Sequence, residues 1–496
     1  MSDAAPTTRP ALHQRVGLWL GPLLAVLAWW LLPAGEGAGD GLTHAGRVTA
    51  GIGVCMATWW MTEALPLPAT ALLPIVAFPL LGVAPLADTL RPFASDIIFL
   101  FMGGFMLGLA MQRWGLHKRL ALWIILAVGT RPLRLVAGFM LATAFLSMWI
   151  SNTAATIILL PVGVSIIAMV KREGSGVPRE AAAAFGTCLM LAIAYAASIG
   201  GSGTLIGSPP NLVAASFIRN QYGCEVSMLD WMRFGVPIVA VFLPIAWLYL
   251  TRLAHPIRIE ELPGGREAIR GEMHALGAMQ RPERLVAIVF GSAAMAWILR
   301  PQLVAWTGLA GLSDAVIAVA APLLLFMLPT GDGRRVLDWE TAVKLPWGIL
   351  LLFGGGLSLA MAVSLHDVDA FIAGGLGGLA GMPMLLVAFA VAVLVVFLTE
   401  LTSNTAMATA FVPVVAAVAL GLGVDPIPLL LAVGLGASYA FMLPVATPPN
   451  AIVFGSGAIT IGQMVRAGIV LNLVGIVLVT VAVSLVPAGI CGGGAG

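Results

Sequence analysis

Apolar residues fill this chain in long blocks rather than at alternating positions. From residue 16 to the C-terminal region, stretches of about 20 predominantly apolar residues, the length of helix that crosses a bilayer's hydrocarbon core, recur between short polar segments. The pattern predicts an all-α polytopic membrane protein with about 11 transmembrane helices plus two helical hairpins, judged by the same length. The first block, 16–32, follows a polar leader with Arg9 and Arg15, as the core of a signal peptide would. Trp19, Trp29 and Trp30 sit where interfacial anchors belong and favour a helix that is retained.

The polar segments between the blocks set the orientation, because Lys and Arg collect on the cytoplasmic side. Arg9 and Arg15, then Arg113, Lys118, Arg119, Arg131 and Arg134, then Lys171, Arg172 and Arg179 all fit inside. So do the set from Arg252 through Arg284 and the later Arg334, Arg335 and Lys344. The expectation is a multi-pass protein of the inner cell membrane with its N-terminus in the cytoplasm and its C-terminus outside. Residues 134–171 are apolar with basic residues at both ends, so this hairpin enters and leaves from the cytoplasm. Residues 383–420 are flanked by 365–382 and 421–428, which contain no Lys or Arg, so that hairpin enters and leaves from outside. Two re-entrant hairpins of opposite orientation define an inverted repeat, and such repeats place substrate near the bilayer midplane.

Three landmarks recur in the same order. Residues 101–111, with Gly103, Gly104 and Gly108, are echoed at 353–361 by Gly354, Gly355 and Gly356; Ser151-Asn152-Thr153 returns as Ser403-Asn404-Thr405; and Pro209-Pro210-Asn211 returns as Pro448-Pro449-Asn450. The chain therefore divides into a leader and first helix (1–44), a first repeat (45–255), a cytoplasmic loop (256–280), a second repeat (281–487) and a tail (488–496).

Each triplet interrupts an apolar run, where unpaired backbone is tolerated only inside protein or beside a wet cavity. The segments 199–211 and 442–450 break a helix as well, the first through its glycines and prolines, the second through Pro444, Pro448 and Pro449. Half-helix N-termini offer amide donors to an anion, and unwound carbonyls offer oxygens to a cation. Ser, Asn and Thr add neutral donors and acceptors. The two triplets are expected to face each other, each donating to one carboxylate of a substrate with two, while co-bound sodium supplies the positive charge that the breaks lack. Helix capping explains a triplet at a hairpin tip, yet capping does not require the same triplet twice. A packing kink would explain a glycine-rich break alone. Residues 200–207 lack the Lys-Ser or Lys-Thr pair of a phosphate-cradling loop.

Composition removes other classes. With 60% hydrophobic and 10% charged residues the chain lies far from a soluble domain, and a net charge of +2 without a basic stripe gives no nucleic-acid footprint. Cys55, Cys188, Cys224 and Cys491 are scattered, which predicts neither a disulfide framework nor a zinc site. The histidines, His117 and His366 among them, form no cluster. Glu63, Asp96 and Glu400 are the carboxylates in apolar context, where such groups are candidate ion sites by default; Glu63 and Asp96 read better as structural groups near helix ends, whereas Glu400, three residues before Ser403, steadies the hairpin tip, tunes a nearby cation or is simply a hydrogen-bonded structural carboxylate. A membrane enzyme needs a nucleophile with its base or a metal cluster, and neither stands near the breaks. A channel conducts without accumulating its ion, and an arsenite or sodium–proton antiporter would share the hairpins but respond to other gradients.

With both triplets, the 200–211 break, Ala446-Thr447-Pro448-Pro449-Asn450 and the glycine landmarks, nearly the whole chain resembles the divalent anion:sodium symporters, a family of dicarboxylate and citrate transporters. The resemblance implies a homodimer in lipid, with a scaffold domain at the dimer contact and a transport domain that moves as an elevator. It implies two or more sodium ions. One site falls on Ser147, Ser151, Asn152 and the Gly200 region, the other on Thr399, Thr402, Asn404 and Ala446. Substrate contacts fall on Asn152, Thr153, Ser403, Asn404, Thr405, Thr447 and Pro448. The expected activity is sodium-coupled transport of C4-dicarboxylates such as succinate, malate or fumarate; exchange, and transport of citrate, sulfate or another anion, remain alternatives within the family.

Overall fold

The computed structural model describes residues 11–35, 41–172, 176–261, 264–375 and 381–486. Arg9, Cys491 and the 488–496 tail lie outside them. The described elements are helical, apart from two isolated bridges, Ala34 with Leu42 and Pro329 with Arg335. Among the described residues, eight helices are long and apolar enough to cross a membrane, or nine if Arg281–Ile298 and Arg300–Thr307, bent by 83° at a short break, count as one span. Shorter apolar helices of 10–17 residues add to these. The protein is an integral, multi-pass membrane protein, and Trp19, Leu23, Trp30, Trp123 and Leu253 are among the large apolar side chains it leaves on its outer surface.

The helices used below are α1 (Leu12–Leu31), α2 (His44–Thr62), α3 (Asp96–Arg113), α4 (Pro132–Ser147), α5 (Asn152–Lys171), α6 (Arg179–Gly201), α7 (Pro209–Tyr222), α8 (Met228–Leu248), α9 (Asp314–Met327), α10 (Trp347–Leu365), α11 (Met384–Thr399), α12 (Asn404–Leu422), α13 (Pro426–Gly436), α14 (Pro448–Gly455) and α15 (Ile461–Ser484). They sort into two compact units, one made of 1–95, 347–382 and 406–426, the other of 96–346, 383–405 and 427–496.

In the first unit α1 packs on α2, whose C-terminus is capped by Glu63 in the left-handed region (φ 48°). Trp60 and Phe78 are fully buried at its core. The glycines of the second landmark let α10 approach backbone: a Cβ on Gly355 would collide with the Ala71 carbonyl, one on Gly354 with the Phe93 ring. His366 hydrogen-bonds the Val83 carbonyl at 2.8 Å.

The second unit is built around α6, whose run of Ala, Gly, Ser and Cys buries nearly all of its second half and lets α4, α5, α8 and α14 pack against it. Gly103 of the first landmark brings α3 onto the Ala318 backbone of α9, and Gly104 faces Ile206 in the first helix break. At one end, Arg113 pairs with Asp338 (2.5 Å), Lys118 with Glu272 (2.8 Å) and Arg119 with both oxygens of Glu283 (2.5 and 3.1 Å), so three basic residues assigned to one side of the membrane share one end of this unit. At the other end of α3, Asp96 pairs with Arg219. Arg300 bridges Glu225 (2.6 Å) and Asp314 (3.3 Å). Glu63 and Asp96 are thus helix-terminal carboxylates.

The cysteines need a correction. Cys55 and Cys188 are free and buried, but Cys224, in the segment between α7 and α8, is disulfide-bonded. Spacing along the chain does not report which thiols the fold brings together, which is why a scattered cysteine set misled.

Candidate functional site: two oxygen clusters at paired helix breaks

Every residue that the family resemblance assigns to substrate or sodium lies in the second unit. Sequence forces the local geometry. Ser151 caps α5 by accepting the Ala154 amide (3.2 Å), and Pro209 and Pro448 start α7 and α14 after segments that no helix can cross. The chain turns at 148–151 and at 400–403, and the side chains just before and after each turn meet.

At the first turn, Ser147 Oγ lies 2.5 Å from the Asn152 amide and 2.7 Å from the Ala197 carbonyl. With its nitrogen turned inward, Asn152 donates to the Ala197 and Gly207 carbonyls, each at 3.2 Å, and to Ser147 Oγ. At the second, Thr399 Oγ1 lies 2.6 Å from Asn404 Oδ1 and 3.1 Å from the Ala437 carbonyl. A hydroxyl, an asparagine five residues later and a carbonyl from the end of a broken helix thus meet twice.

The breaks are held by matching asparagines. Asn211 donates from Nδ2 to the carbonyls ten and seven residues earlier, Gly201 (2.9 Å) and Thr204 (2.8 Å). Asn450 does the same at the same spacings, to Ala440 (3.1 Å) and Leu443 (3.0 Å). The breaks are also joined to each other: Ser208 Oγ meets Ser438 Oγ and Ser202 Oγ meets Tyr439 Oη, both at 2.8 Å, with all four residues buried.

Where the two breaks differ is in what holds their amides. In the first, Thr204 donates its hydroxyl to the Met148 carbonyl and accepts from the Gly207 amide. In the second, Glu400 takes over. Its Oε1 accepts from the amides of Phe441 (2.7 Å) and Met442 (2.8 Å) and from Asn472 Nδ2 (2.7 Å), and its Oε2 from the amide of Leu443 (3.0 Å). The carboxylate is 3% exposed. It anchors the unwound backbone, and α15 contributes through Asn472.

Of the expected residues, Ser147 and Asn152 share one cluster and Thr399 and Asn404 the other. Ala446 and Thr447 are buried in the second break, where Thr447 caps α14 through the Asn450 amide (3.3 Å). Ser151, Thr153, Thr402, Ser403 and Thr405 are half-buried, Pro448 is exposed, and the Thr402 hydroxyl points back to the Leu398 carbonyl (3.4 Å). The Gly200 carbonyl accepts the Gly203 amide (2.9 Å), and it is Ala197 and Gly207 whose carbonyls reach Asn152. Sequence reading also missed Ala437, Ser202, Ser208, Ser438, Tyr439 and Asn472. Asn472 had a signal, a lone amide inside an apolar helix.

Chemically, both clusters offer neutral oxygens only, hydroxyl, amide and carbonyl, which suit a hard cation. No group of three or more His, Cys, Asp or Glu side chains among the described residues gathers to hold a transition metal. Gly201 is the sensitive neighbour, because a Cβ there would collide with the end of the Asn152 side-chain amide. Gly201→Ala is expected to leave the protein folded, since the obstructing atom is a side-chain tip, and to weaken sodium dependence by roughly tenfold, the scale of one hydrogen bond in a site of this kind. Half-saturating sodium in uptake assays checks this, and an unchanged value would show that the Asn152 amide is not part of the cation's surroundings.

Comparison with known proteins places these features. The sodium:sulfate symporter transmembrane region matches residues 14–487. The sodium-dependent dicarboxylate transporter SdcS of Staphylococcus saprophyticus is 42% identical over 476 residues, 95% of this chain and 91% of that one. The protein of the same name from Staphylococcus aureus strain USA300 is 40% identical over 475 residues, covering 95% and 90%. Among solved structures, the YdaH transporter of Alcanivorax borkumensis shares the fold, with a TM-score of 0.57 at 16% identity over 96% of this chain and 99% of that one.

Proposed function

We propose, on the premise that this chain belongs to the sodium:sulfate symporter transmembrane family, that it is a sodium-coupled carrier of C4-dicarboxylates such as succinate, malate and fumarate, working by alternating access. The family consists of transporters rather than enzymes. The observation that carries the reading is the doubled cluster, Ser147–Asn152 with the Ala197 carbonyl and Thr399–Asn404 with the Ala437 carbonyl. Relatives at 40–42% identity are named sodium-dependent dicarboxylate transporters, which favours a dicarboxylate over sulfate.

In this reading each cluster takes one sodium ion. Ser147, Ser151, Asn152 and backbone near Gly200 form the first site; Thr399, Thr402, Asn404 and Ala446 form the second. Asn152 and Thr153 meet one carboxylate of the substrate, and Ser403, Asn404 and Thr405 meet the other, with Thr447 and Pro448 beside them. The paired ions provide the positive charge that draws in a dianion, and when they leave, a neutral site releases it. The repeats at 45–255 and 281–487 are inverted copies, supported by the matched asparagine spacings at 211 and 450. Residues 134–171 and 383–420 are re-entrant hairpins from opposite sides, within a total of about 11 spans. The second compact unit, which holds both clusters, is the transport domain of an elevator in a homodimer. The N-terminus lies in the cytoplasm and the C-terminus outside, a reading that the distribution of Lys and Arg supports.

Uptake of radiolabelled succinate into proteoliposomes tests this. Accumulation under an inward sodium gradient, saturating in both solutes and competed by malate and fumarate, is the expected result. Uptake only into vesicles preloaded with unlabelled dicarboxylate would make the protein an exchanger. Competition by sulfate or citrate without any by succinate would overturn the substrate class.

A further inference from the structure

Outside the site, the second unit carries a groove of about 470 Å³ between α4 and α8. Its lining is entirely apolar, with Ala137, Leu141 and Met148 on one wall and Ala240, Leu243 and Trp247 on the other. Leu141 is 45% exposed, so the groove opens to the outside of the helices rather than into their core. An open slot of this kind inside a bilayer costs dispersion contacts unless something fills it.

Charge says what. Counting back from Met148, positions 145, 141, 137 and 134 follow helical spacing on one face, so the stripe that lines the groove ends at Arg134. Arg134 is exposed, and among the described residues it has no ion pair or hydrogen-bond partner; Arg131, also exposed, caps the same helix one turn earlier. Trp247 closes that end of the groove by donating its indole N–H to the Leu133 carbonyl (3.0 Å), as a tryptophan at a membrane interface does. From 134 to 148 the helical rise is about 21 Å, enough to run from the interface past the roughly 15 Å depth of one leaflet's hydrocarbon.

We propose that an anionic phospholipid of the surrounding bilayer binds here, its phosphate on Arg134 and one acyl chain along the groove to Met148. A zwitterionic lipid would gain the apolar contact without the charge. The chain's far end would touch the residue that supports the first helix break. A Cβ on Gly203 would lie 2.8 Å from Met148 Cε, and the Met148 carbonyl accepts the Thr204 hydroxyl. The lipid therefore braces the turn between α4 and α5 from behind.

The test counts lipid and does not depend on which anion is carried. The full-length protein, purified in detergent with equal phosphatidylglycerol and phosphatidylcholine, is examined by native mass spectrometry as wild type, Arg134→Gln and Ala240→Trp. Wild type is expected to retain phosphatidylglycerol preferentially. Arg134→Gln lowers that preference about fivefold, the effect of one surface arginine on an anionic lipid, and Ala240→Trp, which fills the groove, loses the lipid itself. Arg134 is on the surface, so its variant stays informative even if the tryptophan variant unfolds. Equal retention by wild type and Arg134→Gln, or no preference between the two lipids, overturns the proposal. Loss of a protein dimer on Ala240→Trp with lipid retention unchanged would assign the groove to a second copy of the chain instead.

Discussion

On the proposed function, Asn152→Ala and Asn404→Ala are each expected to abolish sodium-driven succinate uptake while the protein still folds and inserts. Each asparagine sits beside a hydroxyl at the start of a helix, Asn152 2.5 Å from Ser147 Oγ and Asn404 2.6 Å from Thr399 Oγ1. Both are half-buried, so truncation creates no large void in the core. What goes is the one group in each cluster that can present its oxygen to a cation and its N–H donors to a carboxylate. Truncating Asn152 leaves the Ala197 and Gly207 carbonyls less well satisfied, and truncating Asn404 takes away the acceptor of the Thr399 hydroxyl; each such loss costs about 1–3 kcal/mol, roughly fivefold to 150-fold at each cluster. Because ion and anion bind together, losing one cluster removes the coupled event. Reconstituted variants assayed beside wild type, with elution profile and thermal unfolding as folding controls, give the answer; normal uptake by both would remove the central site.

Glu400→Leu is expected to be the most destabilising substitution near the site. It leaves the amides of Met442 (2.8 Å) and Leu443 (3.0 Å) and the Asn472 side-chain N–H without their acceptor, and leaves the Phe441 amide with Asn472 Oδ1 alone (3.2 Å). Each orphaned buried donor costs about 1–3 kcal/mol, so the loss is several kcal/mol, and the second break should lose its shape. Glu400→Gln keeps one acceptor oxygen but sets an NH₂ against backbone N–H groups, and should fall between. Asn472→Ala removes one donor to the carboxylate and the second acceptor of the Phe441 amide, but leaves the carboxylate on its three amides, so it should be the mildest. Thermal unfolding of the three variants in detergent reads this order directly. A Glu400→Leu protein as stable as wild type would mean that the amides find other partners and that the carboxylate serves something else.

Much of this was legible along the chain. Apolar blocks gave the helices, because a bilayer leaves helices as the economical way to satisfy backbone across it, and repeated Ser-Asn-Thr and Pro-Pro-Asn marked where those helices stop. The doubled hydroxyl at Ser147 and Thr399 came from the family resemblance. The carbonyl partners were not legible, since Ala197, Gly207 and Ala437 act through backbone whose direction is set only once the helix has unwound. Nor was Glu400's role, whose amide partners stand more than forty residues downstream and whose fourth donor lies on α15. The helix that follows the second turn held another surprise. α12 begins with Asn404 and Thr405 in one compact unit and continues from 406 in the other, a division that hydropathy does not encode.

The two buried contacts that join the helix breaks, Ser202 with Tyr439 and Ser208 with Ser438, bear on what kind of machine this is. A gate that works by parting two jaws needs a seam that separates cheaply, and water must enter as it opens. Here the seam runs through four buried hydroxyls, of which Ser202 also donates to the Ile199 carbonyl (2.7 Å), and prising it apart would strand the others at a cost of about 1–3 kcal/mol each. The two jaws are stitched shut. On the proposed function, the cargo is then exposed to one side of the membrane and the other by a change in the surroundings of the site, with the joined breaks kept whole.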